Sequence, residues 1–359
     1  TNIRPTGRFA FVTNEDDNNL MVVDLTTDEV VKTLPTGKVP HALVFTRDGK
    51  GYVNNRGEQS LTVIDGNSQT VLKTIALPAI SMQIALSPDN KTLAVGYKDA
   101  LKITLIDTVT DTVIASLDIG ADRSGKKPVR IKHPFWSQDG RFVYAGDNLN
   151  NTVVKIDAAT HRIAATIPMP ATTHHFAADP TGKYIYVVQG KGKDGRLSVT
   201  VLDAADDHVV KTIFVPMVAG EKSFGHHGVF SPDRKFFYFC NEGGKTVAII
   251  DISELTVVKT LQAGQGAGHP VFTRDGSKVY VINHHDNIVT VIDTVEQKVV
   301  KHIQAGTGKK EGHSGYMAPD GHFYMLNAAD GAIIKIDTAS MKVRSEIKVG
   351  RKPMIMVVR

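Results

Sequence analysis

The residues best able to do chemistry in this chain are histidines, and their spacing is regular. There are 14 of them in 359 residues. Short turns of the Pro-Asp-Gly type recur at Arg47-Asp48-Gly49, Pro88-Asp89-Asn90, Gln138-Asp139-Gly140, Pro180-Thr181-Gly182, Pro232-Asp233-Arg234, Arg274-Asp275-Gly276 and Pro319-Asp320-Gly321. Seven residues before the central turn residue stand His41, Met82, Lys132, His174, His226, Gly268 and His313. Six residues before it stand Ala42, Gln83, His133, His175, His227, His269 and Ser314. Met354 and Ile355, beside Pro353, fill the same two slots by alignment with Pro40-His41. Eight histidines therefore occupy 16 slots in which composition alone would place about 0.6.

Neutral imidazole is the commonest side-chain ligand for zinc, copper, nickel and iron. One histidine near a strand start is ordinarily a hydrogen-bonded surface or core residue, but a set converging from successive repeats points to a ligand. His133, His175, His227 and His269 come from four consecutive repeats and should form an arc. His41, His174, His226 and His313 add the second set, with Met82 and Met354 in two remaining places. The single cysteine, Cys240, excludes an internal disulfide framework and thiolate clusters. Histidine with nearby methionine and no thiolate suits copper, the favoured metal, or haem iron better than structural zinc. Arg123 and Arg130, with Lys126 and Lys127, could hold an anionic cofactor group such as haem carboxylates; a solvated loop is the competing reading. Neighbouring side chains on a regular strand point to opposite faces, so only one of the two sets should enter a common channel while the other braces it. His284 and His285 follow a different strand and fall outside the candidate set. His161, His208, His302 and His322 sit in turn-like contexts.

The elements that must position these residues are short strands. A strand ending in an apolar residue and Asp recurs at Asp24, Asp65, Asp107, Asp157, Asp203, Asp251, Asp293 and Asp337, with spacings of 41 to 50 residues. The Pro-Asp-Gly-type turns, counting Pro5-Thr6-Gly7, have the same number, and Pro, Asp and Gly each favour such turns for their own reason. Each repeat holds four runs rich in Val, Ile, Tyr and Thr with period-two alternation. The first repeat lacks its innermost strand, and the C-terminal stretch from Lys352 to Arg359 supplies one. Eight repeats of four strands with a shared terminal repeat predict one all-β domain over 1–359, an eight-bladed β-propeller closed by its two ends. Insertions at 120–128 and 215–224 precede innermost strands and elaborate the face where the histidines lie.

Other chemistry finds little support. No Gly-x-Ser-x-Gly elbow, phosphate loop, dinucleotide fingerprint or His-Glu-x-x-His helix is present. The formal charge of +5 is interspersed, which argues against nucleic acid as a partner. No apolar run is long enough to span a membrane. The first residue is Thr1 and a strand begins by about Phe9, as expected of a mature periplasmic or extracellular chain whose signal peptide has been removed.

The units Phe142-Val-Tyr144, Tyr280-Val-Ile-Asn283 and Thr290-Val-Ile-Asp-Thr294, with turns such as Ser87-Pro-Asp89, resemble the YVTN-repeat β-propellers over the whole chain. The segment His41-Ala-Leu-Val-Phe-Thr-Arg-Asp-Gly49, then Asn55-Arg-Gly57 and Leu61-Thr-Val-Ile-Asp65, is similar to the part of the cytochrome-d1-type propeller of nitrite reductases and their haem-maturation relatives that carries the axial histidine. Ile80-Ser-Met-Gln-Ile-Ala-Leu-Ser-Pro-Asp89 is similar to the blade that follows. That resemblance implies that His41 would be the haem ligand. Those relatives do not carry the arc of extra histidines, and no Cys-x-x-Cys-His for a covalent haem is present here. The expected function is binding of a transition-metal centre, copper or haem iron, in a histidine-lined channel mouth, for redox catalysis or cofactor handling with a redox or cofactor-delivery protein as partner. The alternatives are a non-catalytic protein- or glycan-binding propeller and a lactonase-like hydrolase.

Overall fold

A computed structural model describes residues 7–120, 131, 133–217, 220, 223–307 and 311–359. Eight four-stranded antiparallel sheets follow one another around a ring, as the repeats predict. The first blade is assembled from both ends of the chain: Pro353–Val358 pairs with Phe9–Asn14, which pairs with Asn19–Asp24 and then Glu29–Pro35. Phe9 and Arg359 exchange two backbone hydrogen bonds of 2.8 Å at the closing seam. Among the described residues no helix is long and apolar enough to cross a membrane.

The second strand of each blade is the most deeply buried. Its third residue is Phe11 in blade one and Tyr52, Tyr144, Tyr186, Tyr238, Tyr280 or Tyr324 elsewhere, all at most 1% exposed; the third blade has Ala94 instead. A buried phenol usually finds a partner for its hydroxyl, and three here reach the next blade. Tyr52 donates to Asp111 at 2.5 Å, Tyr144 to Asp207 at 3.0 Å and Tyr280 to the Thr338 carbonyl at 3.2 Å. Aromatic packing and one polar tie thus hold successive wedges together. The repeat carboxylates have the bland role: Asp107, Asp157, Asp251 and Asp293 each accept two backbone amides of the turn that follows.

The start of the innermost strand departs from regular pairing, at the two histidine slots. In blade six Gly225 faces Asn241 and Gly228 faces Phe239, so two residues, His226 and His227, oppose one. The same bulge places an extra residue at His41-Ala42, Met82, His174, Gly268, His313-Ser314 and Met354. A bulge bends the strand and re-aims side chains. Both slots can therefore face the channel, which a regular strand would forbid. In blade four the innermost strand is only Phe135–Trp136, and His133 stands just ahead of it. Trp136 is core, with its indole nitrogen donating to the Ala85 carbonyl.

Candidate metal centre in the channel mouth

The bulges bring seven of the eight slot histidines to the lining of one well, and the eighth, His175, packs beside it against the His133 and His227 rings. A cavity of about 320 Å³ is lined by His41, His133, His174, His226, His227, His269 and His313, together with Met82, Met354 and Arg56. The expectation that only one slot would enter the channel is corrected: residues of both slots line it. The second-slot arc is continuous, with ring centroids 5.4 Å apart from His133 to His175, 4.4 Å from His175 to His227 and 4.2 Å from His227 to His269. His174 lies 4.5 Å from His226, His313 lies 5.2 Å from His269, and His41 closes the series 5.9 Å from His313. The Nδ1 atoms of His226 and His227 are 2.5 Å apart, so one must donate to the other.

A third slot, invisible to counting within the innermost strand, borders the same well. The residue after each second strand sits against the start of its innermost neighbour, because the hairpin pairs the end of one with the beginning of the other. Its amide donates across that hairpin: Glu15 to the Lys352 carbonyl, Arg56 to Val39, Glu242 to Phe224 and His284 to Gly266. These positions supply the charges missing from the sequence-level site. His284 and His285, which sequence reasoning set aside, lie on the histidine rim: His284 is 4.6 Å from the His226 ring and stacks on His313 at 5.3 Å.

Two buried carboxylates border the well, one from blade one and one from blade six. Glu15 accepts from His41 Nδ1 at 2.8 Å and pairs with Lys352 at 2.8 Å, with Arg56 at 3.8 Å. Burial pushes this carboxyl up, but the bonds from His41 and Lys352 outweigh it and hold it at about 2. With Nδ1–H given to Glu15, His41 has its Nε2 lone pair left for a ligand. Glu242 faces His285 Nε2 at 3.0 Å, His284 Nδ1 at 3.6 Å and His226 Nε2 at 3.7 Å.

Six of the imidazoles are kept neutral. Burial lowers His41 and His175 to about 4, in His41 against the opposing pull of Glu15. Burial, reinforced by neighbouring imidazoles, puts His226, His227, His269 and His313 well below the ordinary range. Several ring nitrogens are buried with no hydrogen-bond partner in the protein: His175 Nδ1, His269 Nε2, His284 Nε2 and His313 Nδ1. A buried polar atom left unpaired costs about 1–3 kcal/mol, so a concentration of them asks for an explanation. Buried, unpaired and closely grouped imidazole nitrogens fit a late transition-metal ion. The His41–Glu15 pair also has the form of an imidazole oriented by a carboxylate on its other ring nitrogen, a common support for metal-ligating histidines. The remaining expected cofactor residues, Arg123 and Arg130, lie outside the described residues, as do Lys126 and Lys127. His208 and His302 are exposed, with local partners Asp206 and Thr290.

Comparison with known proteins places the fold. The structure described as "Dihydro-heme d1 dehydrogenase NirN in complex with DHE" superposes with a TM-score of 0.82 at 14% identity, over 99% of this chain and 77% of that one. Hydrazine synthase of Kuenenia stuttgartiensis gives 0.63 at 22% identity, over 81% and 94% of the two chains. A functionally unknown protein from Desulfotomaculum acetoxidans gives 0.60 at 16%, over 86% and 98%. A family model described as "Lactonase, 7-bladed beta-propeller" matches residues 169–263, the fifth and sixth blades. No curated protein matches the chain in sequence. At these identities the likeness is one of fold, and with its eight four-stranded sheets the chain is an eight-bladed β-propeller of the architecture shared with dihydro-haem d1 dehydrogenase.

Proposed function

We propose that the propeller binds a transition-metal centre in the histidine well, copper being favoured, and uses it in redox catalysis or cofactor handling outside the cytoplasm. The observation that supports this reading is the set of neutral, buried imidazoles whose nitrogens lack partners in the protein. The only thiol, Cys240, is buried and held protonated by that burial, which sets thiolate aside and makes imidazole the most numerous ligand class in the well. A bound metal would supply Lewis-acid or one-electron chemistry. The chain's own part is to ligate it with imidazoles, to orient His41 through Glu15, and to keep a small chamber beside it.

A second reading, haem iron ligated by His41, is favoured by the Glu15 bond, which engages Nδ1 of this cavity-lining histidine and leaves Nε2 for a ligand, and by the fold shared with a haem-d1 dehydrogenase. The cavity of about 320 Å³ is near the lower end of the ~300–1,000 Å³ found for pockets of drug-sized ligands, so a macrocycle would have to sit partly above the well. Elemental analysis and absorption spectra of protein purified without a metal-affinity tag decide between the two. Copper with weak visible bands supports the first, and an intense porphyrin-type spectrum the second. Protein that is metal-free as isolated and takes up neither Cu²⁺, Zn²⁺, Ni²⁺ nor haem would sink both. It would leave the lactonase-like hydrolase suggested by the partial family match, an activity expected to survive chelators.

A further inference from the structure

Blade seven breaks the histidine pattern in an informative way. Its first-slot residue is Gly268, and a Cβ built there would lie 2.3 Å from His284 Nε2. The missing side chain is therefore the space in which the His284 ring stands, delivered from the turn after the second strand rather than from the innermost strand. His226, His269 and His284 each offer one ring nitrogen, and these atoms all lie within 4.8 Å of one another. His269 Nε2 and His284 Nε2 are both buried without a partner in the protein. The other nitrogen of His284, Nδ1, faces the buried Glu242 at 3.6 Å.

We propose that His226, His269 and His284 form a three-imidazole site for one divalent late transition-metal ion, with Gly268 admitting His284 and Glu242 acting as the positioning residue behind it. The inference rests on the reading that the well holds a metal, and it names the ligands. A tetrahedral ion bound at ~2.0–2.1 Å holds its nitrogens roughly 3.3 Å apart, so closing the observed spread takes ring rotations of about an ångström. Three imidazoles leave a fourth position open to the cavity, the pattern of a catalytic rather than a structural ion. An all-imidazole site follows the order that binds Cu²⁺ more tightly than Zn²⁺ or Ni²⁺. A carboxylate on the non-ligating nitrogen fixes the tautomer and raises the basicity of the ligand, and its loss typically costs 10–100-fold in metal affinity.

The test is competition of the full chain against a chromophoric chelator for Zn²⁺ and for Cu²⁺, with the Cu²⁺ spin-resonance spectrum recorded alongside. Wild type should bind one ion tightly. His284→Ala and His269→Gln should each weaken it by at least ~100-fold. Gly268→Ala changes no ligand atom and should displace His284, reproducing the loss. Glu242→Gln should cost ~10–100-fold and shift the Cu²⁺ spectrum, a change that loss of stability alone does not cause. His208→Ala, in the exposed Asp203–Asp206–His208 group, should bind as wild type does. Retained circular dichroism separates affinity loss from misfolding. If wild type takes up neither ion, the metal reading itself falls. Uptake indifferent to His284→Ala and Gly268→Ala overturns the three-imidazole site alone.

Discussion

The neutral state of the well makes a prediction about acid. His175 is the cleanest case, because burial alone lowers it to about 4 and no carboxylate is bonded to it. An unfolded histidine titrates near 6.5. Between those values the unfolded chain holds a proton that the folded chain does not, so stability must fall as pH falls from about 6.5 through about 4. The span of ~2.5 units corresponds to on the order of 3 kcal/mol from this residue, with a slope of at most ~1.4 kcal/mol per pH unit. Other well histidines shift the same way, so the metal-free protein should lose stability steeply across this window. His175→Gln removes one titrating group. Urea unfolding of metal-free wild type and variant at pH 7.0, 6.0 and 5.0 should show a shallower pH dependence in the variant, by about 1 kcal/mol per unit. Equal slopes would refute the claim that His175 is held neutral by burial.

Binding of a metal to the folded chain alone should raise its melting temperature. At 1,000 times the dissociation constant the gain is ~4 kcal/mol, or about 5 °C for a chain of 359 residues at ~2.1 cal/mol/K per residue; scanning calorimetry with and without Cu²⁺ checks this. Replacing Asp207 by Ala strands the buried Lys155 ammonium, now bonded to it at 2.8 Å, and removes the Tyr144 partner. A loss of roughly 3–5 kcal/mol is expected, measurable by denaturant unfolding. Deleting 353–359 removes the innermost strand of the first blade and bares the edge of Phe9–Asn14. Exposed edges promote pairing between chains, so the truncated protein should aggregate, which size-exclusion chromatography would report.

The fold was legible because two markers recur in register, the apolar-Asp strand end and the Pro-Asp-Gly-type turn, and each has a local cause. Counting from the turn also found the eight histidines, since the number of residues from each slot to its turn is constant, even in blade four where the strand itself is short. The bulge was not legible. An extra residue in one strand leaves no mark in composition, so the period of two argued that His226 and His227 diverge when both reach the well. His284, Glu242 and Glu15 were missed for a related reason. They belong to the end of the second strand, adjacent to the histidines through the hairpin and not through the chain. The signal available was Gly268, the one first-slot position without a side chain, in the same blade that carries His284-His285 in place of the usual strand-end residues. Arg123 and Arg130 lie outside the described residues and are not placed relative to the well.

Anomalous diffraction from crystals grown with Cu²⁺, recorded on both sides of the copper edge, tests the central claim most directly. The account predicts a strong peak in the well within bonding distance of His226, His269 and His284, and none at the exposed Asp203–Asp206–His208 group. A well that holds no anomalous scatterer, in crystals whose protein is otherwise ordered there, would contradict it.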